Sequence, residues 1–276
     1  MRSTSLVGNK RSHIMTTVLA VLSCMIVAFA CVGQDDTSTV VIAQGTDATS
    51  LDPAFRADTA TGNVILAIYD PLMVRDSDME IKPWLATGAE KVSDTEWMIY
   101  LREDVAFSNG EPLNAEAVRY TLERVLDPET ESPIKRWFSN FTKIEIVDEY
   151  TLKVTTETLD PLFLIRLSLL LPVPPQYVES VGDTEFARNP IGTGPYELVQ
   201  WNPDDSITLA ARDDYWAGPV EIDEVVFRVV PEELSRVAAL QTGEADIIVD
   251  VSPDQANFLE GVSRVSIQAA PSTRVM

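Results

Sequence analysis

Runs of apolar residues with two different periods divide this chain into alternating strands and helices. Thr39–Gln44 is a β-branched-rich run, and Glu96–Leu101 alternates as a half-buried strand does. Leu72–Arg75 reads as a strand followed by a turn over Asp76–Met79, and Asn109-Gly110 marks a further turn. Lys143–Val147 and Thr151–Thr155 predict a hairpin joined through Asp148 and Glu149. Helical spacing takes over at Val118, Leu122 and Val125, with Asn114 as N-cap and Asp127-Pro128 as the stop. Val64–Tyr69 reads as a helix ended by Asp70-Pro71, and Asp160–Leu171 as another broken by Pro172, Pro174 and Pro175.

The stretch from Asn189 to Val251 carries the densest signals. Gly192, Gly194 and Pro195 force a tight turn before the extended run Tyr196–Trp201. Asn202–Asp205 turns again, Ile207 and Leu209 alternate with Thr208, and Val225–Val230 is apolar enough for a buried strand. Pro231 and two glutamates suit the start of a helix that Gly243 stops. Leu234, Val237, Ala238 and Gln241 fall on one face of it at helical spacing. Strands and helices alternate throughout, so the class is mixed α/β.

Before this pattern begins, Arg2, Lys10 and Arg11 precede an uncharged apolar run, Ile14–Ala30. That is the layout of a secretory signal over residues 1–30, with Ala28-Phe29-Ala30 as cleavage site. The same place resembles a lipoprotein signal, which makes Cys31 the lipidated first mature residue. A retained membrane helix is the competing reading, for which the run is short of the ~20 residues a span needs. Each places the remainder outside the cytoplasm: in the periplasmic space or on the outer face of the cell membrane.

Composition then narrows the chemistry. The two cysteines are Cys24 and Cys31, so no internal disulfide or cysteine-based metal cluster survives cleavage. The single histidine, His13, leaves with the signal and takes every imidazole base and His–zinc site with it. No phosphate-loop or dinucleotide fingerprint occurs. The net charge of −22 disfavours nucleic acid and anionic membrane as partners. No cofactor, metal or catalytic residue is expected, and the expectation is a protein that is not an enzyme.

In order, Gly192–Tyr196, Arg212 with Asp214–Trp216 and Gly218, Asp223–Phe227, and Arg236 with Ala239-Leu240, Gly243 and Asp246 form a composite pattern. It resembles the peptide/nickel-type solute-binding proteins of ABC importers, extracellular family 5, which include dipeptide- and oligopeptide-binding proteins. Ser50–Pro53, Tyr69–Leu72, Lys82–Ala86 and Asn109–Glu116 match further landmarks in order. Asp213, Asn109 and Ala117 depart from that pattern, altering turns and a first-turn charge.

The resemblance implies a periplasmic-binding-protein-like fold of type II, of which this chain holds the first lobe only. A split domain would take residues 31–60 and 187–272, an inserted domain 61–186, and residues 273–276 would begin the second lobe. It implies a monomer that carries a peptide or similar small solute to the membrane permease of an ABC importer. Asp47, Ala48 and Thr49 match the stretch that runs beside a bound peptide, where backbone pairing tolerates many side chains. Tyr69, Tyr196, Trp201 and Trp216 are candidate aromatic pocket walls, with core packing as their other reading. Asp213 and Asp214 are a carboxylate pair better explained as a turn. A carboxylate-based extracytoplasmic hydrolase and a non-transport scaffold or receptor lipoprotein stand as alternatives.

Overall fold

The structure, a computed structural model, describes residues 37–262 and 265–268. The predicted signal segment and Cys31 lie outside the described residues, as do residues 269–276.

Two sheets organise the described chain. The first has five strands in the order β11-β1-β10-β9-β8: β1 is Thr39–Gln44, β8 Tyr196–Asn202, β9 Ser206–Ala211, β10 Glu224–Val229 and β11 Ile247–Ile248. β1 runs parallel to β10 and β11, while β9 is antiparallel to both β8 and β10. The second is an antiparallel sheet in the order β4-β5-β7-β6, with β4 Ala86–Lys91, β5 Glu96–Leu101, β6 Phe141–Asp148 and β7 Thr151–Thr156. A short ribbon of β2, Met73–Arg75, and β3, Ile81–Pro83, makes a third pairing.

Helices pack on both large sheets, and the five-stranded one is covered on both faces: Ile42 of β1 lies in the cluster of the first helix, and Ala43 packs with Ala239. Helix α1, Thr59–Ile68, is capped by Asp58, whose carboxylate accepts from the backbone N–H of Thr61 at 2.8 Å. Its Val64, Ile65 and Ile68 bury against Ile207, Leu209 and Phe227 of the five-stranded sheet. Helix α2, Ala115–Leu126, is capped by Asn114 and turns Val118, Leu122 and Val125 inward, the predicted face. That core also contains Ile99, Leu152 and Val154 from the second sheet. Helices α3, Lys135–Phe138, α4, Phe163–Leu167, α5, Pro175–Val181, and α6, Asp183–Phe186, are short connectors. Helix α7, Glu233–Thr242, ends at Gly243 with φ of 82°, and α8 spans Pro253–Glu260.

One expectation needs correction. The predicted helix Asp160–Leu171 contracts to Phe163–Leu167. The carbonyl of Leu170 accepts from the N–H of Leu72 at 3.2 Å, so the chain must leave the helix before that residue. On α7, Leu234 is 67% exposed and Ala238 and Gln241 face outward, whereas Arg236, Val237 and Ala239 are buried. Strand β4 reads Ala-Thr-Gly-Ala-Glu-Lys, without the alternation that would have marked it, and is made by its pairing with β5.

Candidate functional site

In open α/β sheets, ligands collect outside the carboxyl ends of the parallel strands, because loops diverge there. Here that edge is formed by the ends of β1, β10 and β11. From it emerge the loops Gly45–Asp58, Val230–Glu232 and Val249–Ser252. Arg236 on α7 holds two of them: its guanidinium donates to the carbonyls of Val230 and Pro231, each at 2.9 Å, and of Asp250 at 3.0 Å. Gly45 packs on the same guanidinium, where a β-carbon would lie 3.3 Å from Nη1. This inward arginine is what turns Leu234 to solvent.

Among the predicted contacts, Asp47, Ala48 and Thr49 lie in the loop leaving β1. Asp47 accepts from the indole N–H of Trp201 at 3.0 Å and the backbone N–H of Asp204 at 2.9 Å, which ties the loop to the β8–β9 turn. Ala48 is buried and Thr49 exposed. The backbone N–H of Thr49 donates to Oγ1 of Thr61 at 2.9 Å, and its hydroxyl meets the Asp58 carboxylate at 3.3 Å. The loop is thereby fixed to the first turn of α1.

Tyr69 and Tyr196 are not brought to these residues. Tyr69 is fully buried as the C-cap of α1, and its hydroxyl donates to the carbonyl of Leu51 at 3.2 Å. Burial raises its pKa well above the usual phenol value, and its ring offers no surface to a solute. Tyr196 opens β8 opposite Ala211, at the other end of the strand from Trp201, which faces Ile207. Trp201 is engaged by Asp47. Of the Asp213–Asp214 pair, Asp214 forms an ion pair with Arg212 at 3.0 Å, which holds its carboxyl below the usual range.

Trp216 belongs to a knot around Asp70. This buried carboxylate accepts from the indole N–H groups of Trp84 at 2.7 Å and Trp216 at 2.8 Å, and from the Tyr215 hydroxyl at 3.2 Å. Its backbone N–H donates to the Thr193 hydroxyl at 3.3 Å. Burial raises the Asp70 pKa, and the hydrogen bonds from its neutral donors pull the other way without cancelling it. Arg212 completes the knot by donating to the carbonyls of Gly192 and Gly194, both at 3.3 Å. Residues from the Tyr-Asp-Pro-Leu, Lys-Pro-Trp-Leu-Ala, Gly-Thr-Gly-Pro-Tyr and Asp-Tyr-Trp motifs therefore meet at one point. The sequence marked Asp70 as a helix terminator and gave no sign of this role.

A second buried carboxylate, Asp52, accepts from Arg124 at 2.5 Å and also caps the turn Pro53–Phe55. Arg124 reaches Asp183 at 2.6 Å. Burial lowers the Arg124 pKa, and the two carboxylates together reverse that and raise it. Beside this triad an open groove of about 470 Å³ runs between α2 and the α5–α6 segment, lined by Glu116, Arg119, Tyr120, Glu123, Glu179 and Asp183 among others. Among the described residues, no set of three or more His, Cys, Asp or Glu is arranged to hold a metal ion, and no helix is long and apolar enough to cross a membrane.

Comparison with known proteins places this geometry. The profile of bacterial extracellular solute-binding proteins, family 5 Middle, matches residues 80–276. The glutathione-binding protein GsiB of Salmonella typhi is 32% identical over 255 residues, 91% of this chain and 49% of that protein. The periplasmic binding protein AgaA from A. tumefacien R10, solved with agropinic acid, shares 30% identity with a TM-score of 0.75, over 81% of this chain and 46% of that one. DppA of Helicobacter pylori, solved with the peptide STSA, shares 28% identity with a TM-score of 0.73, over 82% and 49%. The chain thus spans about half the length of the curated relatives it matches, and its fold is theirs over that half.

Proposed function

The chain belongs to the bacterial extracellular solute-binding proteins of family 5, and from that membership we propose that it is the solute-binding component of an ABC importer. It takes up a peptide or similar small solute outside the cytoplasm and passes it to a membrane permease, as a monomer and without catalysis. The observation that carries this reading is the family match over residues 80–276. The relatives named for glutathione, a peptide and agropinic acid support a small solute with peptide-like polar groups.

In this reading the solute lies against the loop of Asp47, Ala48 and Thr49, whose anchoring by Trp201 and Thr61 supports a preformed wall. Residues 31–60 and 187–272 make a split domain, and 61–186 an insert within it. The amino-terminal segment directs export, and Cys31 carries the lipid anchor.

The test is thermal unfolding of the full chain with glutathione and with short peptides. A solute at 100 times its Kd should add about 2.7 kcal/mol of stability. No stabilisation by any of them, or turnover of glycoside substrates in their place, would overturn the proposal. Replacement of Cys31 by Ala should move the protein from the membrane to the soluble fraction.

A further inference from the structure

The turn after Phe107 carries a pairing that occurs once in the chain. Of the eight asparagines, Asn109 alone precedes a glycine; the others precede Lys, Val, Ala, Phe or Pro. The backbone nitrogen of a following residue can attack an asparagine side-chain amide, and a side chain on that residue hinders the approach. Gly110 has none, its φ is 85°, and a β-carbon built on it would have nothing within 4 Å. Both residues are exposed. The space around the attacking nitrogen is therefore open.

Glu111 holds the Asn109 amide at both ends. Its backbone N–H donates to Oδ1 at 3.1 Å, and its carboxylate accepts from Nδ2 at 2.7 Å. A donor on one side and an acceptor on the other leave the amide a single orientation. The N–H lies where negative charge develops on Oδ1 as its carbon becomes tetrahedral. The carboxylate lies on the nitrogen that must leave. One bond opposes the reaction: the Gly110 N–H donates to the Phe107 carbonyl at 2.9 Å. It belongs to an exposed turn, and local opening releases it at low cost.

The same carboxylate reaches a second segment. It accepts from the backbone N–H groups of Gln176 at 3.1 Å and Tyr177 at 3.0 Å, both in the first turn of α5. Asn109 thus donates into the group that fastens α5 to this turn.

We propose that Asn109-Gly110-Glu111 is a self-modifying turn, in which Asn109 deamidates in the folded chain and thereby loosens α5. The Gly110 nitrogen forms a bond to Cγ of Asn109 and gives up its proton. The Cγ–Nδ2 bond breaks, and the Glu111 carboxylate relays that proton to the departing ammonia. Water then opens the cyclic imide at either of its carbonyls, leaving aspartate or isoaspartate at position 109. The aspartate product sets a carboxylate against that of Glu111 where an N–H donor stood, and the two like charges repel. This chemistry does not depend on the solute-binding reading above.

The test is peptide mapping by mass spectrometry of the full chain, incubated at mildly alkaline pH both folded and in urea. In the folded chain Asn109 should convert ahead of every other described asparagine. Glu111→Gln should slow the folded conversion by about tenfold or more, since positioned proton transfer contributes roughly 10²–10⁴ in rate. In urea that variant should match wild type. A folded chain that keeps Asn109 while the unfolded chain converts it overturns the proposal, as does an unchanged rate in folded Glu111→Gln. If that variant does not fold, the wild-type comparison decides alone. Asn109→Asp reproduces one product, and amide hydrogen exchange at Gln176 and Tyr177 should quicken in it several-fold. Unchanged exchange there overturns the link to α5.

Discussion

Trp216 donates its indole N–H to Asp70 at 2.8 Å, across 146 residues of sequence. That bond joins the end of α1 to the loop between β9 and β10, and Trp84 joins the entry to β4 onto the same carboxylate. The two indoles also pack edge to face at 5.1 Å, with Arg102 stacked 4.7 Å from the Trp216 ring. The motifs that identify the family are thus a structural fastening between the two sheets.

Replacing Asp70 by Asn tests the fastening. The amide has one acceptor oxygen for the two indoles and presents N–H groups where acceptance is needed. The loss should be about 1–3 kcal/mol at pH 7, measured by urea unfolding.

The same variant should change the pH dependence of stability. Burial raises the Asp70 pKa in the folded state, so between the unfolded value near 3.9 and the raised one the folded chain binds more protons. Asp70 therefore adds stability as pH falls from 7 toward about 4 and loses it as pH rises. The stability gap between wild type and Asp70→Asn should widen on acidification. A gap that narrows would show that the carboxylate is needed in its charged form.

Gly192 and Gly194 are required by close approach. A β-carbon on Gly192 would sit 2.1 Å from the carbonyl oxygen of Ile68, and one on Gly194 2.6 Å from its carbon. Alanine at either should cost at least about 2–4 kcal/mol, since backbone rather than a side chain must move. Gly88 in β4 has nothing within 4 Å of such an atom, so Gly88→Ala should be neutral or slightly stabilising. Thermal midpoints of the three variants check the contrast.

Arg124 and Asp52 form a buried pair, at 8% and 0% side-chain exposure. Arg124→Met strands the Asp52 carboxylate and should cost about 3–5 kcal/mol. Adding Asp52→Asn removes the stranded charge and should recover at least ~1 kcal/mol relative to additivity. A double-mutant cycle in denaturant gives the number, and strict additivity would show that the pair is uncoupled.

Asp47 separates wall from contact. Because it holds Trp201 and the Asp204 N–H, Asp47→Ala should lower stability by about 1–2 kcal/mol with no solute present. Thr49→Ala removes an exposed hydroxyl and should stay within about 0.5 kcal/mol. Equal melting of both variants would remove the anchoring role of Asp47.

Local order was legible wherever one residue type has a single local use. Thr39–Gln44 and Glu96–Leu101 are strands at their predicted limits, Asn114 caps α2, and Gly243 closes α7 with positive φ. β4 lacked apolar alternation, and the helix predicted over Asp160–Leu171 was cut short by a carbonyl needed elsewhere. At the site, the Asp47–Thr49 loop came from family resemblance, while the gathering of indole and phenol donors on Asp70 carried no mark in the sequence at all.

The sequence by itself determined the alternation of strands and helices and the family, since these depend on residue identity and short spacing. Tertiary structure decided which polar residues found partners. It sent Tyr69 into the core, gathered four motifs on Asp70, and paired Arg124 and Arg212 with carboxylates while giving Arg236 backbone carbonyls. The physical reason is that burial makes an unpaired charge costly only once distant segments have closed over it, and those segments are up to 146 residues apart.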